Sequence, residues 1–171
     1  MKTLRKLLTI ITLGCVMPLA ACSESDPVTY PPVDHSPIII ERGTFAKGAD
    51  VSWLTQLEKE GYKFYNKAQE EKECMQLLRD DCGVNSIRLR VWVNPAEGWC
   101  NVSDVAIKAR RANSLGLRLM IDFHFSDTWA DPGQQVMPAA WEGKSLEEVN
   151  TLIANHVTEV LSTLKELEIE P

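Results

Sequence analysis

The chain has 171 residues, of which 44% are hydrophobic and 25% are charged, and this is enough material for one globular domain. It contains 18 basic and 24 acidic residues, so its formal net charge is −6. This acidic balance argues against a nucleic-acid partner, because phosphate backbones are held by clustered Lys and Arg side chains. It fits a neutral or a cationic partner equally well.

The N-terminus is typical of an export signal. Three basic residues within the first six positions precede an almost wholly apolar run of about 15 residues, which is shorter than the roughly 20 that a membrane-spanning helix needs. The stretch Leu-Ala-Ala-Cys that ends at Cys22 resembles a bacterial lipobox. We therefore expect residues 1–21 to be a lipoprotein signal peptide and Cys22 to be acylated. The alternative is ordinary cleavage, which would leave Cys22 as a free thiol.

The segment after the signal is predicted to be a tether. Removing the three basic signal residues leaves 15 basic against 24 acidic residues, a net charge of −9. Four prolines lie among polar residues between positions 23 and 37, and this composition favours an extended chain. We expect a lipid-anchored, Pro-rich tether over 22–40 and a folded domain over 41–171. The protein is predicted to be exported and anchored to the bacterial outer membrane or cell surface.

Short β-like runs then alternate with longer amphipathic ones, which is typical of parallel βα units. The predicted elements are a strand over 47–52, a helix over 70–81, a strand over 85–93, a helix over 103–115, a strand over 117–123 and a helix that begins after Ser145. Gly83 and Gly116 would end the first two helices. Ser145 and Glu148 form a capping-box pattern at the start of the third.

Two of the predicted strands have one polar and one aliphatic face. Arg88 and Arg90 alternate with aliphatic residues within 85–94, and Asp122 and His124 do so on the next strand. A central strand of an open doubly wound sheet is usually apolar on both faces, because helices cover both. The pattern therefore favours an α/β fold of the (β/α)8-barrel type. About the first three βα units are present, and a fourth strand is expected to begin near the last three residues.

Polar and aromatic residues follow the predicted strands, and in a (β/α)8 barrel the reactive groups lie at the carboxyl ends of the strands. Trp rings stack on sugars and charged groups bind their hydroxyls, so these residues suit a carbohydrate cleft. The candidate substrate-binding residues are Asp50, Arg90, His124, Asp127 and Trp129. For Arg90 and His124 a structural role is the alternative, and for Asp127 the alternatives are a loop-shaping role and a general acid.

Other residues have structural interpretations. Arg88 and Asp122 are expected to neutralise one another inside the barrel. His156 lies on the apolar face of the third helix and is expected to have a packing role. The sequence Asp-Pro-Gly that begins at Asp131 is typical of a turn. Three further tryptophans either line the cleft or pack beneath loops, and the sequence leaves both interpretations open: Trp53, Trp99 and Trp141.

Three cysteines remain after the signal and the lipobox. If Cys74 and Cys82 share one helix, they lie roughly 12 Å apart, which is beyond disulfide reach. We expect them to be buried thiols, with a disulfide between Cys74 and Cys100 as the alternative. No nucleotide-binding or zinc-binding motif follows a strand, so no cofactor and no metal are expected.

Three segments together resemble the arabinogalactan endo-β-1,4-galactanases of glycoside hydrolase family 53. They are GADVS at 48–52, NSIRLRVWVNP at 85–95 and MIDFHFSDTWADP at 120–132. The resemblance implies a (β/α)8 barrel that cuts β-1,4-galactan or arabinogalactan within the chain and retains the anomeric configuration. Two glutamates held about 5 to 5.5 Å apart would carry out this reaction.

In the family, the two glutamates lie at the ends of strands four and seven, which would be beyond Pro171. The resemblance therefore implies a truncated N-terminal portion of a bacterial lipoprotein form, without catalytic residues and inactive alone. Arg90 resembles the arginine that orients the nucleophile, and His124 resembles the histidine beside the cleaved sugar. A structural calcium would depend on loops outside this sequence. The alternatives are another retaining barrel glycosidase and a non-catalytic glycan-binding surface lipoprotein.

Overall fold

The computed structural model describes residues 45–171. The predicted signal peptide 1–21, the predicted lipidation site Cys22 and the predicted tether 22–40 lie outside the described residues. The elements in chain order are β1 Gly48–Asp50, α1 Leu54–Lys59, β2 Phe64–Tyr65, β3 Glu71–Lys72, α2 Cys74–Cys82, β4 Ser86–Val91, α3 Val102–Ser114, β5 Arg118–Phe123, a 3₁₀ helix Ala139–Trp141 and α4 Leu146–Glu166.

Strands β1, β4 and β5 form a parallel sheet in that order. Ser86 on β4 lies opposite Gly48 on one side and opposite Arg118 on the other. The three strands lie within the predicted ranges. Each parallel strand pairs with the parallel strand that follows it in the chain, as a barrel requires.

The hydrophobic core lies on one face of this sheet. Ile87, Leu89 and Val91 on β4 are fully buried there, and helices α3 and α4 contribute Val105 and Val160 to the same core. Burial of such a side chain contributes about 1.5 to 3 kcal/mol relative to its exposed state. The even positions of β4 point to the opposite face, where Arg88 is partly exposed. The prediction of strands with one aliphatic and one polar face is confirmed.

Helix α4 begins at the predicted capping box. The Ser145 hydroxyl accepts the Glu148 backbone N–H at 3.3 Å, and the Glu148 carboxylate accepts the Ser145 backbone N–H at 2.8 Å. The hydrogen bond from the Ser145 backbone N–H to the Glu148 carboxylate is the main cause that holds the pKa of Glu148 below its ordinary value. Further along α4, His156 is buried with its ring 6.0 Å from that of Phe123 and 6.3 Å from that of Phe125. The expected packing role of His156 is confirmed.

The predicted helix over 70–81 is wrong at its start. Residues Glu71–Lys72 form β3, which pairs antiparallel with β2 in a short hairpin. Helix α2 begins only after Glu73, whose side chain accepts the Gln76 backbone N–H at 2.7 Å and so caps the helix. Helix α1 and the hairpin were not predicted. Gly83 ends α2 with φ of 68°, a left-handed conformation that glycine adopts without strain, so this helix stop is confirmed.

The three cysteines of the described chain are all free thiols, so the alternative of a disulfide between Cys74 and Cys100 is wrong. Cys74 and Cys82 do share helix α2, as the spacing argument assumed. Cys74 is partly buried, and this burial raises the pKa of its thiol to about 12. Cys82 is exposed, contrary to the prediction of a buried thiol, because it is the last residue of α2, next to the exposed Gly83.

Candidate functional site

The side chain of Arg90 lies at the centre of an aromatic cage at the carboxyl end of the sheet. Its guanidinium carbon lies 4.5 Å from the ring centroid of Trp53, 4.4 Å from that of Trp92 and 5.1 Å from that of Trp129. These rings come from the loop after β1, from the end of β4 and from the loop after β5. Arginine over indole is a favourable cation–π arrangement. The three tryptophans therefore fix the position of the guanidinium.

Arg90 is almost fully buried, at 3% exposure. One terminal nitrogen of its guanidinium donates to the Cys100 sulfur at 3.5 Å, and its backbone N–H donates to the Ser52 hydroxyl at 2.8 Å. Within residues 45–171 its Nε–H has no hydrogen-bond partner. A buried guanidinium keeps its charge and is costly to leave unpaired. The arrangement is therefore suited to bind an anionic or hydroxyl oxygen.

His124 lies beside the same cage, with its ring 6.1 Å from that of Trp129. Its Nε2 is 2.9 Å from the Asp122 carboxylate, and its Nδ1 is buried without a partner among the described residues. Because a carboxylate only accepts hydrogen bonds, Nε2 is the donor to Asp122. Nδ1 is therefore the ring nitrogen that the described residues leave without a partner.

A chain of ion pairs crosses the three strands beneath His124. Arg88 pairs with Asp122 on one side and with Asp50 at 3.0 Å on the other. Asp50 also accepts the Ser52 backbone N–H at 2.9 Å. The expected pairing of Arg88 with Asp122 is confirmed, and Asp50 is part of the same network. This network fixes the carboxylate that holds His124.

The loop after β5 is organised by two aspartates. The two oxygens of Asp127 accept the backbone N–H groups of Asn94 and Ala139, each at 2.9 Å. Asp131 accepts the Gly133 backbone N–H and the Trp129 indole N–H at 2.9 Å, and these bonds lower its pKa. The turn predicted at Asp131 is present. Asp131 thereby orients the ring of Trp129, and Asp127 ties its loop to the neighbouring loops.

The other tryptophans differ in their surroundings. Trp53 is 40% exposed and lies over the Arg90 guanidinium, whereas Trp141 is buried, with its ring 6.1 Å from that of Phe125. Trp99 is partly buried. A cavity of about 550 Å³ lies beside β5 and runs from His124 to Trp141. Trp141 thus both packs against Phe125 and lines this cavity, so both interpretations hold for it.

Several residues that surround Arg90 were not predicted as site residues. They are Ser52, Trp92, Cys100, Asp104 and Lys108. The signal that could have identified the last two is an Asp and a Lys four residues apart on the otherwise apolar inner face of α3. In residues 45–171, no group of three His, Cys, Asp or Glu side chains could hold a metal ion. None of the helices in this range has the length and apolarity to span a membrane.

Comparisons with known proteins agree with this geometry. The chain matches the family description "Glycosyl hydrolase family 53" over residues 46–171. It is 35% identical to arabinogalactan endo-beta-1,4-galactanase A of Emericella nidulans, over 70% of this chain and 34% of that protein. The chain thus spans about a third of the length of this curated relative.

Solved structures show the same similarity. One comes from a study of two fungal beta-1,4-galactanases; it has a TM-score of 0.69 and 36% identity, over 73% of this chain and 37% of that one. The other, the GH53 catalytic domain of Ignisphaera aggregans, has a TM-score of 0.70 and 32% identity, over 85% of this chain and 41% of that one. The predicted (β/α)8-barrel class is confirmed, with a part of the barrel described here. The chain belongs to glycosyl hydrolase family 53.

Proposed function

We propose that this protein contributes to the endo-hydrolysis of β-1,4-galactosidic linkages in galactan or arabinogalactan. The observation that carries the proposal is the buried Arg90 guanidinium, held by three tryptophan rings with its Nε–H unpaired. His124 lies beside Trp129, which is one of these rings. The named galactanase relatives of the chain support the choice of substrate. Residues 45–171 would then form one side of a sugar-binding cleft.

In this proposal, the reaction follows a retaining mechanism with two glutamates. Arg90 would donate its free Nε–H to the nucleophilic carboxylate, because an ionised acceptor gives the stronger hydrogen bond. We expect both glutamates to lie outside the matched residues 46–171. We therefore propose that hydrolysis requires the complete barrel, and that residues 1–171 by themselves are inactive.

The remaining candidates would bind the sugar. Trp129 is 45% exposed, and its free ring surface can stack on the C–H face of a galactose unit. His124 would accept a sugar hydroxyl at Nδ1. Asp50 and Asp127 already accept hydrogen bonds within the protein, but each carboxylate oxygen has a second lone pair for a hydroxyl donor. They stay predicted binding residues.

The test is an activity assay on protein produced from the complete reading frame. We expect endo-hydrolysis of unbranched β-1,4-galactan with initial release of the β-anomer, detected by proton NMR. We also expect a glutamate at strand four and another at strand seven, and replacement of either by glutamine should abolish turnover.

Two results would redirect the proposal. Hydrolysis of a different β-linked glycan, without action on galactan, would favour another retaining barrel glycosidase. Binding of galactan without any hydrolysis, together with the absence of both glutamates, would favour a glycan-binding surface lipoprotein.

We also propose export and lipid anchoring. The basic start, the apolar run and the lipobox-like sequence ending at Cys22 support a signal peptide over 1–21, followed by a tether over 22–40. Acylation would place the protein on the bacterial outer membrane or cell surface. Labelled palmitate should be incorporated into the wild-type protein and not into Cys22→Ala. Equal labelling of the two proteins would contradict the assignment.

A further inference from the structure

We propose that Lys108 and Asp104 on α3 are positioning residues for Arg90 and Trp53, although neither touches the cleft. The inference rests on the proposed function, since it concerns the same site. A lysine is seldom fully buried, because removing its charge from water is costly. Lys108 nevertheless has 0% exposure, and Asp104 has 7%. The hydrogen bonds of this pair explain why it is buried.

The first set of contacts leads from Lys108 to the backbone of Arg90. The Lys108 ammonium donates to the Asp104 carboxylate at 2.5 Å and to the Ser52 backbone carbonyl at 2.7 Å. The hydroxyl of the same Ser52 accepts the Arg90 backbone N–H at 2.8 Å. Lys108 therefore ties the loop after β1 to α3, while the Ser52 hydroxyl ties the same loop to β4. Trp53, the next residue along this loop, is one of the three rings around the Arg90 guanidinium.

The second set of contacts leads from Asp104 to the guanidinium itself. The Asp104 carboxylate accepts the Cys100 backbone N–H at 2.6 Å and the Thr55 hydroxyl at 2.6 Å. The Cys100 sulfur in turn accepts a hydrogen bond from the Arg90 guanidinium at 3.5 Å, and its thiol donates to the Ser52 carbonyl at 3.3 Å. Asp104 therefore positions Cys100, whose sulfur contacts the Arg90 guanidinium.

The backbone conformation of Cys100 explains why hydrogen bonds are needed to hold this residue in place. Cys100 has φ of 62°, which is unfavourable for a residue with a side chain. Hydrogen bonds of its backbone N–H and of its backbone carbonyl hold it in this conformation. Its N–H bonds Asp104, and its carbonyl accepts the Trp92 backbone N–H at 2.8 Å. Trp92 is another ring of the cage. The buried pair thus reaches Arg90 through Ser52 and Cys100, and reaches two of the three rings.

The test compares Lys108→Met with Lys144→Met in protein from the complete reading frame. Methionine has a similar unbranched chain but no donor for the Ser52 carbonyl. Lys144 is a matched control, because it also belongs to a lysine–acid pair four residues apart, Lys144 with Glu148 at 3.8 Å, but on the exposed surface. We expect Lys108→Met to lower kcat on galactan by about tenfold to a hundredfold, since small displacements of positioning groups have effects of this size. Lys144→Met should leave kcat unchanged.

An NMR measurement tests the positioning directly and does not depend on activity. The three tryptophan rings around Arg90 should shift its side-chain Nε–H proton signal upfield. We expect this shift to be lost in Lys108→Met and kept in Lys144→Met. If the wild-type protein shows the shift but no galactanase activity, the proposed function fails while the positioning inference is still tested. Wild-type kcat together with an unchanged Arg90 signal in Lys108→Met would overturn the inference.

A double variant covers the case in which Lys108→Met unfolds because Asp104 is left as an unpaired buried charge. Lys108→Met combined with Asp104→Asn removes both charges and keeps an acceptor for the Cys100 N–H. We expect this protein to recover a cooperative thermal transition, with kcat and the Arg90 signal still altered. Recovery of both to wild-type values would show that the pair only stabilises the fold, and this would overturn the inference.

Discussion

Replacing Arg90 by methionine separates the role of its charge from the role of its packing. Methionine keeps an unbranched chain inside the cage of three indole rings but removes the guanidinium. Cation–π contacts contribute about 2 kcal/mol each when the cation is desolvated, so three contacts together stabilise the fold by about 6 kcal/mol. Against this, the guanidinium is 97% withdrawn from water with an unpaired Nε–H, so its removal also relieves a desolvation cost of several kcal/mol.

These opposing contributions nearly cancel, so Arg90→Met should change the free energy of unfolding by less than about 2 kcal/mol. Its effect on turnover should be much larger. Loss of a buried charged donor to a catalytic carboxylate should lower kcat/KM by about a hundredfold to a thousandfold. Urea denaturation and galactan hydrolysis, both on protein from the complete reading frame, measure the two quantities. Arg110→Met, at an exposed position of α3, is the control.

Two results would refute this reasoning. Wild-type kcat/KM in Arg90→Met would show that Arg90 has no part in the reaction. A loss of more than about 4 kcal/mol of unfolding free energy would show that the ring contacts outweigh the desolvation cost, so that Arg90 chiefly stabilises the fold.

Four further predictions concern single residues. Trp129→Ala should raise KM for β-1,4-galactooligosaccharides about three- to tenfold, because an exposed stacking ring contributes about 0.5 to 1.5 kcal/mol; an unchanged KM would remove its binding role. Ser145→Ala should lower the free energy of unfolding by about 1 kcal/mol through loss of the α4 cap, and a urea midpoint equal to that of the wild type would contradict this. Burial lowers the pKa of His156 in the folded protein, so the full free energy of unfolding is present above pH 6.5 and part of it is lost as the pH falls below that value. His156→Phe should lose less unfolding free energy between pH 7.5 and pH 5 in urea titrations, and an equal loss in the two proteins would refute the assignment. Among the three cysteines after residue 45, Cys82 should react fastest with a thiol reagent at pH 8, because it is exposed while burial raises the pKa of Cys74; peptide mapping that finds Cys74 modified first would contradict this.

Local sequence patterns were sufficient for the elements that bury one face. The alternation of polar and aliphatic residues predicted β4 and β5 with the correct faces, because side chains alternate across any strand. Ser145 with Glu148 predicted the start of α4, since both hydrogen bonds of a capping box join residues three positions apart. The pairing of Arg88 with Asp122 followed from two inward positions on neighbouring strands. The predictions for the strand faces and for the start of α4 needed only contacts whose spacing the chain itself specifies, whereas the Arg88–Asp122 pair also needed the expectation that the two strands are neighbours.

The tertiary structure decided what depends on contacts between distant residues. The hairpin of β2 and β3 has two residues in each strand, too few for a periodic signal, and so the start of α2 was misplaced. The candidates Arg90, His124 and Trp129 were recognised in the sequence, but only the fold shows that one tryptophan from each of three segments surrounds the guanidinium. Lys108 lies 56 positions from Ser52 in sequence, so no local pattern could have connected it to the site. Sequence alone determined which residues are available for chemistry, and folding determined which of them act together, because electrostatic and hydrogen-bonding contacts act over a few ångströms of space and not over sequence distance.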